Sequence, residues 1–79
     1  MMTLLEASQK RIEDLCNKNK MSINQLAIAS GINPSTIRSI FKVITKAPSS
    51  ETIHYICIGF GISLKEFYDS SLFDELDDD

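Results

Sequence analysis

The sequence predicts an all-α fold, a compact domain of five helices that contains a helix-turn-helix. Residues suited to helix caps precede apolar runs at positions 22, 33 and 63. Apolar residues recur at spacings of three and four, and no segment alternates apolar and polar residues as a half-buried strand does. A chain of 79 residues with 43% apolar content is enough for one modest core.

The first helix is predicted over about residues 3–19. Its apolar residues have helical spacing and share one face: Leu5, Ile12, Leu15 and Cys16. The polar run NKNK at positions 17–20 ends this pattern.

The second helix is predicted to begin after Ser22 and to end near residue 30. Ser22 and Gln25 have the spacing of a capping box, and Met21 and Leu26 have the spacing of a hydrophobic staple. Gly31 supplies a left-handed stop. The residues predicted to be buried are Leu26, Ala27 and Ser30.

The third helix follows at once. Asn33 caps it, and Pro34 takes a first-turn position where its missing N–H costs nothing. Ile32 and Ile37 form the next staple. Because only Gly31 breaks the chain between the two helices, we expect them to meet at a steep angle. That arrangement is a helix-turn-helix, whose second helix is presented outward.

Two further helices complete the domain. The fourth is predicted near residues 50–59, with an apolar face of Ile53, Ile56, Cys57 and Phe60. The fifth starts at a capping box of Ser63 and Glu66, with a staple between Ile62 and Phe67. Leu64 and Phe67 are expected in the core.

The sequence resembles the lambda-repressor-like family of DNA-binding domains, also called the XRE or Cro/CI type. Two segments carry the resemblance, MSINQLAIASGINPSTIRSI and PSSETIHYICIGFGISLKEFYD, and it covers roughly residues 8–69. It implies a five-helix domain that binds operator DNA as a dimer, with its third helix in the major groove. It also implies a repressor of phage or mobile-element type. The chain departs from the family pattern at Ile23, where the family often has Gln, and in the loop FKVITKAPSS.

The charge is distributed unevenly along the chain. The net charge is −3, but residues 1–50 carry +4, from seven Lys or Arg and three acidic residues. Residues 51–79 carry −7. A basic half with an acidic end is compatible with DNA as a partner.

Helix geometry divides the third helix into two faces. At 100° per residue, an apolar face of Ile37, Ile40 and Phe41 lies opposite a polar face of Ser35, Arg38, Ser39 and Lys42. With the resemblance, the predicted base contacts are Pro34 at the start of the helix and Ser35, Arg38 and Ser39 on this face. The predicted phosphate contacts are Ser22, Asn33, Thr36, Lys42, Thr45 and Lys46. The alternative is that this polar face is only solvated.

The C-terminal end is divided off as an acidic tail, residues 71–79, after a helix-turn-helix domain of residues 1–70. Its apolar residues are too few to stand alone, so they either fold back on the fifth helix or pack against a second subunit. One domain spans about half an operator, so a homodimer is expected. The predicted interface consists of Tyr68, Leu72, Phe73 and Leu76.

Several function classes are not expected. Cys16 and Cys57 fit small core residues better than a disulfide or a metal site. His54 has no partners at a spacing that suggests a catalytic triad, so neither enzyme activity nor a cofactor is predicted. The sequence shows no membrane span and no secretory signal, so we expect a cytoplasmic protein.

Two functions remain open at this stage. The first is a small sequence-specific DNA-binding regulator. The second is a protein-interaction module that keeps the helix-turn-helix fold with weak or lost DNA binding. In the second case, Ile23, Val43 and Ile44 would belong to an apolar docking patch.

Overall fold

The structure, a computed structural model, describes residues 2–42 and 46–77. These residues form five α-helices and one short 3₁₀ helix, and a bridge between Met2 and Leu76 is their one piece of β-type pairing. The α-helices are α1 (Leu4–Asn19), α2 (Ile23–Ser30), α3 (Pro34–Ile40), α4 (Ser50–Phe60) and α5 (Leu64–Tyr68), and the 3₁₀ helix is Ser71–Phe73. The predicted all-α fold is confirmed.

The helix starts follow from the predicted caps. Oγ of Ser22 accepts from the Gln25 N–H at 3.1 Å, and the Gln25 side chain accepts from the Ser22 N–H at 2.8 Å. At α5, Oγ of Ser63 accepts from the Glu66 N–H at 3.0 Å. The described residues show no return bond from the Ser63 N–H to the Glu66 carboxylate. The capping box predicted there is therefore only half formed.

The core is formed where α2 and α4 pack against each other, with α1, α3 and α5 around them. Its buried apolar residues are Ala7, Ile12, Leu15, Cys16, Leu26, Ala27, Ile37, Ile40, Ile53, Ile56, Cys57 and Phe67. Gly59 lets α4 approach α2 closely, because a Cβ there would lie 2.2 Å from Oγ of Ser30. This close contact fixes the first helix of the helix-turn-helix on the rest of the domain.

Three predicted core residues are less buried than expected. Leu64 is 37% exposed, because it follows the cap of a helix with only five residues, whose one buried side chain is Phe67. Leu5 and Phe60 are half-buried. Leu5 lies near the exposed start of α1, and Phe60 at the end of α4 packs against the core from its edge.

The C-terminal segment folds back onto the domain. The Phe73 ring lies 6.0 Å from the Phe67 ring and 5.0 Å from the Tyr68 ring, between centroids. The Asp77 N–H donates to the Met2 carbonyl at 2.9 Å. Residues on both sides of position 70 thus contact the core, while the division into a domain and a tail at that position stays a prediction. Residues 78 and 79 of the predicted tail lie outside the described residues.

Candidate nucleic-acid interface

A glycine turn separates the two helices of the helix-turn-helix. Gly31 has φ +73°, in the left-handed region, and its N–H donates to the Ala27 carbonyl at 2.9 Å. A residue without Cβ adopts this conformation without strain. After the turn, Oδ1 of Asn33 accepts from the Ser35 N–H at 2.9 Å and starts α3. Residues 22–41 therefore form two helices, as predicted, instead of one.

The third helix presents the predicted polar face to solvent. Ile37 and Ile40 are 0% and 4% exposed, so they fix which side of α3 faces the core. The opposite side carries the exposed residues Ser35, Arg38, Ser39 and Lys42. Thr36 is exposed on the flank of the helix, and Pro34 is half-buried at its start. The geometry thus brings together four of the predicted contacts on one exposed face.

The hydroxyl groups on this face also make local hydrogen bonds. Oγ of Ser35 and Oδ1 of Asn33 are 2.9 Å apart, so the hydroxyl donates to the cap. Oγ of Ser39 donates to the Thr36 carbonyl at 2.7 Å. Since each hydroxyl oxygen keeps its lone pairs, both serines present acceptors to an approaching base edge.

Asn24 is a residue of this surface that the sequence analysis missed. Its Oδ1 accepts a hydrogen bond from Nη2 of Arg38 at 2.6 Å, which links α2 to α3 on the exposed side. An exposed Asn on a helix that already has a cap gives no local signal of this role. The link appears only when the two helices are placed side by side.

The start of α2 is a second part of the surface. Ser22 is exposed, and its hydroxyl is engaged in the capping box. The first amides of a helix have no partner within the helix, and the positive end of the helix dipole favours a phosphate there. Ile23, at the first position of α2, is half-buried and packs against the core. The docking patch of the alternative function therefore has less apolar surface at Ile23 than its sequence suggests.

The loop after α3 is described only in part. Lys42 and Lys46 are both exposed, on either side of residues 43–45. The predicted phosphate contact Thr45 and the predicted patch residues Val43 and Ile44 lie outside the described residues.

Comparison with known proteins identifies the family of this domain. Residues 11–70 match the family model of the Cro/C1-type helix-turn-helix DNA-binding domain. The chain belongs to this family. It is also similar to a solved structure described as the prophage Lp1 protein 11, with 30% sequence identity and a TM-score of 0.83. That match covers 96% of this chain and 100% of the other. None of the curated proteins matches the sequence.

Two of the basic residues of this Cro/C1-type domain have structural partners away from the polar face of α3. Nζ of Lys10 lies 3.2 Å from an Asp14 carboxylate oxygen, and the hydrogen bond to Asp14 raises the pKa of Lys10 above its ordinary value of 10.5. Arg11 donates to the carbonyls of Glu66 and Phe67 at 2.8 and 2.7 Å and so satisfies the end of α5. The charge of Lys10 is thus paired with carboxylates, and the guanidinium of Arg11 is engaged by backbone carbonyls.

The other basic residues of the first fifty positions are exposed. They lie at the end of α1, on α3 and in the following loop: Lys18, Lys20, Arg38, Lys42 and Lys46. Lys18 lies in the last turn of α1 and Lys20 at its C-cap, a few residues before the start of α2. The positive charge predicted from the sequence is therefore concentrated around the helix-turn-helix of this Cro/C1-type protein.

Metal binding, membrane spanning and the two cysteines can each be checked against the described residues. Within them, no three His, Cys, Asp or Glu side chains come together as a metal site would need, and no helix is both long and apolar enough to cross a bilayer. Cys16 and Cys57 are buried free thiols, and burial raises the pKa of both above 9.0. A buried thiol with a raised pKa is a poor nucleophile, which agrees with the core role predicted for both residues.

Proposed function

We propose that this protein is a sequence-specific repressor that binds an operator as a homodimer. The observation that carries the proposal is the exposed polar face of α3, which the bond from Arg38 to Asn24 joins to the first turn of α2. Membership of a DNA-binding helix-turn-helix family supports it. The chemistry is binding alone, so no catalytic step, metal or cofactor is invoked, and a protein that binds the chromosome or a prophage would act in the cytoplasm.

The two parts of the surface would perform different tasks. Lys42 and Lys46 neutralise phosphates, and the amides at the start of α2 hold another phosphate, so that the register of the domain is fixed. Arg38, Ser35 and Ser39 then meet base edges in the major groove. Guanine is a natural partner of Arg38, since its N7 and O6 accept two parallel bonds from one guanidinium.

The homodimer is proposed because one domain covers only half of a two-fold symmetric operator. Of the four residues that we assign to the interface, Tyr68 is 38% exposed, and Leu72, Phe73 and Leu76 are half-buried. Phe73 already packs on the aromatic rings of its own chain. Tyr68 is therefore the most exposed of the four residues.

The experiment that tests the proposal is selection of duplexes from a random pool by the full chain. We expect an inverted repeat whose half-sites lie about one helical turn apart. A titration with salt should then give a linear decrease of log affinity against log salt, with a slope of about 0.9 for each phosphate contact. A promoter that overlaps the selected site should lose transcription when the protein is present.

Each outcome has a distinct meaning. Transcription that rises on binding would contradict the repressor role and leave DNA binding intact. A folded protein that selects no sequence, and that forms a stable complex with another protein, would favour the interaction module instead.

A further inference from the structure

The bond between Arg38 and Asn24 joins the two helices of the helix-turn-helix on their exposed side. Nη2 of Arg38 donates to Oδ1 of Asn24 at 2.6 Å, which is short for an N–H···O hydrogen bond. Both side chains are exposed, and fourteen positions of sequence separate them. An exposed bond of this kind contributes little to the stability of the core, but it orders a long side chain in the surface proposed to meet DNA.

The hydrogen bond to Asn24 leaves Arg38 most of its donors and its charge. A guanidinium has five N–H donors in one plane, and Asn24 accepts from one of them. The remaining donors suffice for N7 and O6 of guanine or for two phosphate oxygens. Asn24 is neutral, so Arg38 keeps its positive charge. Lys10, by contrast, is paired with two carboxylates, Glu13 and Asp14.

We propose that Asn24 is a positioning residue for DNA recognition, which holds the guanidinium of Arg38 in one orientation before DNA arrives. The inference rests on the proposed function. Ordering one flexible side chain at an interface weakens binding by about 2- to 10-fold, and a bond formed in the unbound protein removes that loss. A guanidinium held in one direction also meets one pattern of acceptors better than others, so Asn24 sharpens the base preference of Arg38.

A double-mutant cycle on a selected duplex tests this coupling. The affinities of N24A, R38A and the double variant are measured by fluorescence anisotropy at one salt concentration. N24A should weaken binding about 2- to 10-fold in the parent protein and have no further effect when Arg38 is Ala. The control cycle pairs N24A with K42A, because no hydrogen bond joins Lys42 to Asn24 in the described part of the chain. Those two losses should be additive.

A second readout separates positioning from folding. N24A should relax the base preference at one position of each half-site and leave the salt slope unchanged, because the charge of Arg38 remains. A purely structural role would lower the unfolding temperature and weaken binding to every duplex alike.

Three results would overturn the inference while the protein still binds its selected duplex. The first is an equal loss of affinity from N24A with and without Arg38. The second is tighter binding by N24A, and the third is an affinity of N24A equal to that of the parent. A parent protein that binds neither selected nor random DNA would overturn the proposed function and this inference together.

Discussion

Gln9 of α1 holds the end of α3, since its Nε2 donates to the carbonyl of Ile40 at 2.6 Å. The other long helices, α1, α2 and α4, end at residues in the left-handed conformation: Lys20, Gly31 and Gly61. α3 instead ends at Phe41, which has φ −90° and ψ −1°. A side chain from a distant helix thus satisfies a carbonyl at the end of α3.

Replacing Gln9 with Ala should therefore destabilise the domain. The loss of one partly buried hydrogen bond costs about 1 kcal/mol. In a domain of this size, that shifts the unfolding temperature by about 4–8 °C. Circular dichroism during heating measures it. Q9E is the matched variant, because a carboxylate keeps the shape and cannot donate, so at neutral pH it should be at least as unstable as Q9A. Equal stability of Q9E and the parent would contradict the role assigned to this bond.

Gly31→Ala should cost stability through the backbone alone. Gly31 has φ +73°, and a Cβ there would meet no atom within 4 Å, so the expected cost is about 1–2 kcal/mol of left-handed strain. Gly61 is the matched control, since it has the same φ and equally open surroundings. G31A and G61A should thus lower the unfolding free energy by similar amounts, and G31N by less than G31A. A G31A protein as stable as the parent would show that the turn is not left-handed.

Local features of this fold could be predicted from the sequence, and contacts between distant segments could not. The helix-turn-helix was predictable because its caps, staples and Gly31 act within a few residues of each other. The bonds from Arg38 to Asn24, from Gln9 to Ile40 and from Arg11 to Phe67 span 14, 31 and 56 positions. No local pattern selects such partners, because they depend on how whole helices pack.

The C-terminal segment illustrates the same limit. Its apolar residues fit either a fold-back or a second subunit, and sequence periodicity cannot choose between two hydrophobic surfaces. The structure places Phe73 against Phe67 and Tyr68. Predicting this contact would have required the position of α5.

Substitutions on the outer face of α3 should separate affinity from sequence preference. R38A and K42A should weaken binding to the selected duplex, and K42A should lower the salt slope by about 0.9 per protomer. S35A and S39A should change the preferred bases more than the affinity, because a hydroxyl carries no charge. Repeating the pool selection and salt titration with each variant measures both effects. Unchanged binding in all four folded variants would contradict the assignment of this face.

Leu72→Lys should favour the monomer if the C-terminal surface forms the dimer interface. A lysine there replaces apolar contact area with charge, and in the single chain it would lie near the acidic residues Asp74 and Glu75, which line the same surface depression as Leu72. Sedimentation at micromolar concentration should show a dimer for the parent and a monomer for the variant. F73A is the contrasting variant, because its loss from the aromatic cluster should lower the unfolding temperature as well. A parent that is monomeric both alone and on its selected duplex would contradict the homodimer.

The central claim is that the helix-turn-helix surface contacts DNA. The most direct test is a titration of the isotope-labelled protein with its selected duplex, in which NMR follows the backbone amides. The predicted result is that the largest shifts occur at residues 22–25 and 33–42, with small changes along α4. Shifts confined to α5 and the 3₁₀ helix, with α3 unchanged at saturation, would contradict the claim.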